Sequence, residues 1–166
     1  PGAAPAGCAG GAAAGADARG SAGTPAGCPT ATSDENPPRA GPVDPAKPPN
    51  GIDGVVPQEP NRGYDMLDLI DRVVDADSWF ELRPEYGKEI LTGFARIDGR
   101  PVGIVANQPA HRAGALFPDP AEKAAGFIWT CDAYNIPLLY LADPPGFMAG
   151  SQVEQEGLLA QGKKMM

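Results

Sequence analysis

The sequence predicts an α/β fold over residues 62–166, and three observations carry that expectation. The periodicity of apolar residues changes along the chain in the order helix, strand, strand, helix, strand, helix. Asp98-Gly99-Arg100 separates two apolar runs, and Asp-Gly in that position is a strong hairpin signal. Residues Asn135–Met166 read as a buried strand, a Pro/Gly-rich turn and a helix. A ββα unit followed by a further βα unit accounts for this order.

Residues 1–60 contribute none of these signals. They hold 12 of the 20 prolines, 11 of the 22 glycines and none of the 11 aromatic residues, so they lack the apolar surface to offset chain entropy. Residues 1–29 are expected to be a disordered Ala/Gly/Pro-rich segment. Their Gly10–Gly15 run is not a phosphate loop, because no strand precedes it and no Lys-Ser/Thr follows. Residues 30–61 read as a Pro-rich, semi-rigid linker lying on a surface.

The first helix is expected over Tyr64–Asp77. Met66, Leu67, Ile70, Val73 and Val74 share one face, while Asp68, Asp71, Arg72 and Asp75 take the solvated one. Asp65 suits the positive end of the helix dipole. Trp79–Leu82 is a short extended piece, and Glu85–Glu89 is expected to form a helical turn. Strands follow at Ile90–Ile97 and Pro101–Ala106, where Gly93 and Gly103 imply close approach of a neighbour to the backbone.

After an irregular loop with the single histidine, His111, a second helix covers Asp119–Asn135. Asp119 is its expected N-cap and Pro120 its first residue. Phe127, Ile128, Cys131 and Tyr134 share its apolar face, which makes Cys131 a small core residue rather than a nucleophile. Leu138–Leu141 form the last strand, and Asp143-Pro144-Pro145-Gly146 stops it. Ser151-Gln152-Val153-Glu154 then matches a capping box at the start of a helix. Free backbone N–H groups at such a junction can face an oxyanion or a polar carbonyl.

Charge and cysteine content exclude several functions. The net charge is −8, with −3 in residues 1–60 and −5 in the remainder, and no basic cluster marks a nucleic-acid or membrane surface. Cys8, Cys28 and Cys131 are an odd count with no CxxC, and His111 is the single histidine, so neither a disulfide framework nor a zinc site is expected. A reduced, cytoplasmic setting fits, with no signal peptide or transmembrane run visible. The chain starts with Pro and ends inside an expected helix, which suggests a piece of a longer protein.

A set of motifs in fixed order goes further. It comprises Tyr64-Asp65-Met66-Leu67, Trp79-Phe80-Glu81-Leu82, Thr92-Gly93-Phe94-Ala95-Arg96 and Gly99–Pro109. Phe127…Cys131–Leu138, Pro145-Gly146-Phe147-Met148-Ala149-Gly150 and Gly157-Leu158-Leu159…Gly162-Lys163-Lys164 complete it. Together they resemble the carboxyltransferase (beta) subunit of biotin-dependent acyl-CoA carboxylases of the propionyl-, acetyl- and methylcrotonyl-CoA types. The resemblance spans about Gly51–Met166.

The resemblance implies a crotonase-like (ClpP/crotonase) spiral of ββα units. Residues 62–166 would be the first part of the second, biotin-side domain, and residues 30–61 the connection to a preceding acyl-CoA-binding domain. It implies carboxyl transfer from carboxybiotin to the α carbon of an acyl-CoA, with both developing charges on oxygen. Backbone N–H groups can stabilise such charges without a nucleophilic side chain or a metal. Biotin would arrive on a separate carrier, the partners would be a biotin carboxyl carrier and biotin carboxylase subunit, and the full subunit would form a hexamer.

Carried over residue by residue, Gly146, Phe147 and Gly150 match the family's PGF-x-x-G turn beside biotin. Asn107, Gln108 and Pro109 match its NQP turn, expected to be structural or lining. The resemblance assigns no catalytic side chain and no metal ligand within this stretch, and the family's Gly-Gly-Ala turn lies beyond Met166. This stretch alone is therefore expected to be inactive. Leu116-Phe117 resembles the methylcrotonyl type and Cys131–Tyr134 the propionyl type, so the acyl group stays open.

Other readings fit less well. A serine peptidase of the same fold would have to use Ser151, His111 and Asp143, and Ser151 already has a capping role. A hydratase would need paired acids, but Glu154 and Glu156 lie two apart on an expected helix and point in different directions. A non-catalytic assembly module, or an inactive gene fragment of the same fold, is the remaining alternative.

Overall fold

The structure is a computed structural model that describes residues 36–57, 59 and 62–165. The expectation of disorder over residues 1–29, with Cys8 and Cys28, lies outside the described residues. The ordered elements are α1 (Leu67–Val73), β1 (Phe80–Glu81), β2 (Ile90–Ile97), β3 (Arg100–Asn107), α2 (Pro118–Ala133), β4 (Leu138–Leu141), α3 (Ser151–Gln155) and α4 (Leu158–Lys163).

The strands form one sheet in the order β1-β2-β3-β4. The first three are antiparallel neighbours, and β4 pairs parallel to β3. Alternation along the strands splits the core between the two faces of the sheet. On one face Leu91, Ala95, Val102, Ile104 and Ala106 meet Met66, Ile70 and Val74 from α1 and its flanks. On the other, Ile90 and Val105 meet Ala124, Phe127 and Cys131 of α2. The Phe94 and Phe127 rings tilt against each other with centroids 5.1 Å apart.

The hairpin forms as expected. Asp98 and Gly99 both take positive φ, 52° and 71°, as a two-residue turn matched to strand twist requires, and Ile97 pairs with Arg100. Gly93 and Gly103 are needed for space. A Cβ at Gly93 would lie 2.6 Å from the Trp79 ring and from the Phe80 carbonyl oxygen, and one at Gly103 would lie 2.6 Å from the Cys131 sulfur.

Several local expectations are corrected. Helix α1 ends at Val73, because Val74 turns extended and Asp75 swings back to the hairpin. Asp75 is buried, not solvated: its two carboxylate oxygens accept the Asp98 and Gly99 N–H groups at 2.9 and 2.8 Å. Glu85–Glu89 is a pair of turns rather than a helical turn. Helix α2 starts two residues early, with Phe117 as cap and Pro118 at the first position, so Asp119 sits inside the first turn. A proline there loses no hydrogen bond, since the first helical N–H groups have no partner within the helix.

Strand β4 is half-buried with Tyr140 exposed, because it forms the sheet's edge among the described residues. The last expected helix is two short ones, broken where Gly157 takes a φ of 88°. Ser151 is the first residue of α3 rather than its cap, with the Glu154 N–H bonded to the Gly150 carbonyl.

Residues 36–57 of the Pro-rich segment lie along the surface. Ala40 N–H donates to the Gly99 carbonyl, Lys47 N–H to the Asp71 carbonyl, and Ala76 N–H to the Asp44 carbonyl. Lys47 also pairs with Asp68 and Asp71, and Arg72 donates to the Pro48 carbonyl, so this face of α1 is partly covered.

Candidate functional site

Parallel pairing of β3 and β4 marks one end of the sheet as the candidate site. Two parallel neighbours end at the same side of a sheet, and loops at the carboxyl ends of parallel strands are where open α/β sheets bind ligands. Asn107-Gln108-Pro109 leaves β3 at that end, and Asp143–Gly150 leaves β4 beside it. The two loops are tied through residues 114–116. Asn107 Nδ2 donates to the Gly114 carbonyl at 2.9 Å. Leu116 N–H donates to the Gly146 carbonyl at 3.1 Å, and its own carbonyl accepts the Met148 N–H at 3.0 Å.

The NQP residues are a buried brace. The Gln108 carbonyl oxygen accepts the Met66 N–H at 3.0 Å, and its amide donates to Asp65 at 2.7 Å. Its backbone N–H reaches the Glu89 carbonyl at 2.8 Å. Pro109 is buried beside it, and its carbonyl oxygen would lie 2.8 Å from a Cβ at Gly63.

The glycine turn is the accessible half. Gly146 has a φ of 132°, and a Cβ built on it meets nothing within 4 Å. Phe147 and Met148 are 53% and 44% exposed, which gives this end of the sheet an apolar shelf. Phe147 leans on α4, where Gly162 makes room: a Cβ there would come within 3.0 Å of the ring. Gly150 is exposed and directly precedes α3.

Sequence reasoning misses three features here. Local pattern makes Tyr64 no more than a helix start, yet its hydroxyl donates to Asp143 Oδ2 at 2.8 Å. Burial and that contact push the phenol up to about 12. A polar cleft of about 630 Å³ opens beside the loop, lined by Glu89, His111, Arg112, Phe117, Asp119 and Glu156 among others. Arg112 pairs with Glu89 at 3.2 Å and lies 4.8 Å over the Phe117 ring. The sequence's one usable signal is Phe117, an aromatic held between Leu116 and the Pro-Asp-Pro helix start.

The third feature is Lys123, fully buried on α2 with its ammonium donating to the Ile90 carbonyl at 2.8 Å. Burial pushes its pKa down, and the carboxylates of Glu81 and Glu89 only partly oppose this. The folded state thus holds this proton less tightly than the unfolded chain does. Stability must rise with pH as it climbs through the lowered folded value toward 10.5. Lys123→Met keeps the volume, takes the donor from the Ile90 carbonyl at a cost of about 1–3 kcal/mol, and is expected to flatten that rise. Thermal melting across the alkaline range would check it, and parallel curves for the two proteins would refute it.

Cys131 is inert: it has no exposure, and burial pushes its thiol up to about 12. Among the described residues no group of three or more His, Cys, Asp or Glu side chains could hold a metal ion. No helix among them is long and apolar enough to cross a membrane.

Comparison with known families matches residues 25–166 to the carboxyl transferase domain. The chain belongs to that family. Among curated relatives of this carboxyl transferase domain, the uncharacterized carboxylase YngE of Bacillus subtilis is 57% identical over 112 residues. That match covers 68% of this chain and 22% of the relative. The biotin-dependent acetyl-/propionyl-coenzyme A carboxylase beta5 subunit of Mycobacterium tuberculosis is 48% identical over 115 residues, 69% of this chain and 21% of the relative. The chain thus spans about a fifth of the length of these relatives.

A solved structure of the transcarboxylase 12S hexamer aligns with a TM-score of 0.74 at 40% identity, over 79% of this chain and 26% of that one. The beta subunit of the geranyl-CoA carboxylase of P. aeruginosa aligns with a TM-score of 0.69 at 33% identity, over 78% of this chain and 24% of that one. The fold is therefore the crotonase-like α/β fold of carboxyltransferases.

Proposed function

We propose that this carboxyl transferase domain is part of an enzyme that moves the carboxyl group of carboxybiotin to the α carbon of an acyl-CoA. One observation carries the reading: the parallel β3–β4 pair presents the buried NQP brace and the exposed glycine turn at one end of the sheet. Relatives whose names include biotin-dependent acetyl-/propionyl-coenzyme A carboxylase support it.

Residues 1–29 are a low-complexity lead, 30–61 an interdomain connection, and 62–166 part of the biotin-side domain. The residues present fit biotin on one structural ground: a Cβ at Gly146 would meet nothing within 4 Å, and the neighbouring Phe147 and Met148 are exposed. Biotin, when bound, supplies the carboxyl group to be transferred. Gly146, Phe147 and Gly150 line its pocket. The exposed apolar side chains exclude water, and the glycine backbone admits close approach. Asn107, Gln108 and Pro109 hold the floor beneath. Backbone N–H groups, including some outside this chain, stabilise the oxyanions.

The biotin is carried by a separate carrier domain or subunit. The full subunit works as a cytoplasmic hexamer with a biotin carboxylase partner, and the transcarboxylase 12S hexamer is a precedent for that assembly. This stretch spans about a fifth of the length of its relatives, and by itself it is expected to transfer no carboxyl group.

The test is acyl-CoA-dependent loss of carboxyl from carboxybiotin, measured on the full subunit with short and branched acyl-CoA thioesters. Transfer to at least one is expected. No transfer to any of them would overturn the reading in favour of a non-catalytic assembly module.

A further inference from the structure

The turn after β4 cannot hold its shape with its own backbone. Pro144 and Pro145 carry no N–H, and Gly146 adds the widest backbone freedom available. Among the described residues, besides the packing of Phe147 on α4, two sets of hydrogen bonds from outside the turn hold it. One is the backbone exchange between Leu116 and Gly146–Met148. The other is a side chain, the Tyr64 hydroxyl on Asp143, from a residue 79 positions earlier in the chain.

Tyr64 is itself firmly seated. Its ring packs against the core cluster of Met66, Ile70 and Ile104, and so does Leu141, the last residue of β4. The chain on either side is pinned to the NQP brace: Gly63 lies against the Pro109 carbonyl, and Asp65 and Met66 are bonded to Gln108. The phenol keeps its proton through neutral and mildly alkaline pH, so the donor is always present. Rigid ring, rigid base and a single hydroxyl contact make a post against which the turn is set.

We propose that Tyr64 is a positioning residue for carboxyl transfer: through Asp143, its hydroxyl fixes the placement of the Gly146–Met148 backbone at the biotin pocket. The proposal rests on the carboxyltransferase reading above. Tyr64 acts through Asp143 and the turn and touches neither reactant. Small displacements are enough, since a shift of about 1 Å at a reacting site can cost on the order of a hundredfold in rate.

Tyr64→Phe removes the donor and keeps the ring. In the full subunit, transfer is followed in reverse, from malonyl- or methylmalonyl-coenzyme A to free biotin, beside amide hydrogen exchange over residues 146–148. The variant is expected to lose about tenfold in kcat/KM for biotin, within the range a misplaced group can cost. The KM for the thioester and the melting temperature should stay unchanged, and residues 146–148 should exchange faster. Asp143→Ala should do the same, and the double variant should be no worse than either single one.

Unchanged exchange and unchanged kcat/KM for biotin in Tyr64→Phe would overturn the proposal. So would a parallel worsening of thioester KM, biotin kcat/KM and melting temperature, which marks a merely structural contact. If the unaltered subunit transfers no carboxyl group, the carboxyltransferase reading fails instead. Exchange at residues 146–148 then still decides whether Tyr64 sets the turn.

Discussion

Gly103→Val is expected to cost about 3 kcal/mol or more, at the upper end of what overpacking does in a close-packed core. The added Cβ would sit 2.6 Å from the Cys131 sulfur and 3.2 Å from both a Leu138 methyl and the Phe127 ring. None of these can give way easily. Cys131 and Phe127 are buried on α2, and Leu138 is fixed by its pairing with Gly103 itself. Denaturant unfolding of the full subunit measures the loss, and Gly103→Ala in a Cys131→Ala background identifies its origin. Removing the sulfur should restore part of the stability. Equal losses with and without the sulfur would show that the contact is not the cause.

Gly146→Val is expected to act differently: a moderate loss of stability that leaves the fold intact, and a large loss of chemistry in the folded protein. Its Cβ meets nothing within 4 Å, so the only folding penalty is a φ of 132°, which a branched side chain resists at about 1–3 kcal/mol. If the glycine backbone faces biotin, the isopropyl group fills that approach, and transfer should fall on the order of a hundredfold, as for other misplacements at a reacting centre. Carboxyl transfer and melting temperature measured side by side decide it. A loss of transfer fully accounted for by the unfolded fraction of the variant would make Gly146 a turn residue and nothing more.

The sequence is most informative where a structure is set by neighbours along the chain. Asp98-Gly99 carries its own turn geometry, so the hairpin and its register are legible. The need for glycine at 93 and 103 is legible too, because a glycine inside a strand weakens it unless something must come close to its backbone. Boundaries are less so. Two prolines in one helical turn, Pro118 and Pro120, both suit a helix start, and only packing decides between them. The break at Gly157 looks like any glycine in a helical pattern.

Pairing across distance leaves no such local mark. Asp75 belongs by periodicity to the wet face of a helix, yet its carboxylate satisfies two N–H groups of a turn 23 and 24 residues away. The Tyr64–Asp143 contact spans 79 residues and joins two side chains that each have a bland local role. Lys123 sits among alanines on α2, and nothing in its neighbours says that its ammonium ends on the Ile90 carbonyl. Local pattern determines which residues form the two turns of the site. Tertiary closure determines which of them are brace and which are surface.

The parallel pairing of β3 and β4 also acts as a ruler. Register begins where the Gly103 N–H meets the Pro137 carbonyl and runs to Ala106 opposite Leu141. Each residue of strand advances about 3.3 Å, and successive side chains change face. One residue inserted or deleted between Pro137 and Asp143 would therefore exchange the inward and outward sets of β4 and carry the glycine turn out of step with the NQP brace. Insertions and deletions should be rare in this segment across the family, while the exposed tip at 110–113, between the Gln108 brace and the tie at 114–116, can drift in length. The same hydrogen-bond ladder that builds the edge of the sheet thus sets which parts of this site evolution is free to lengthen.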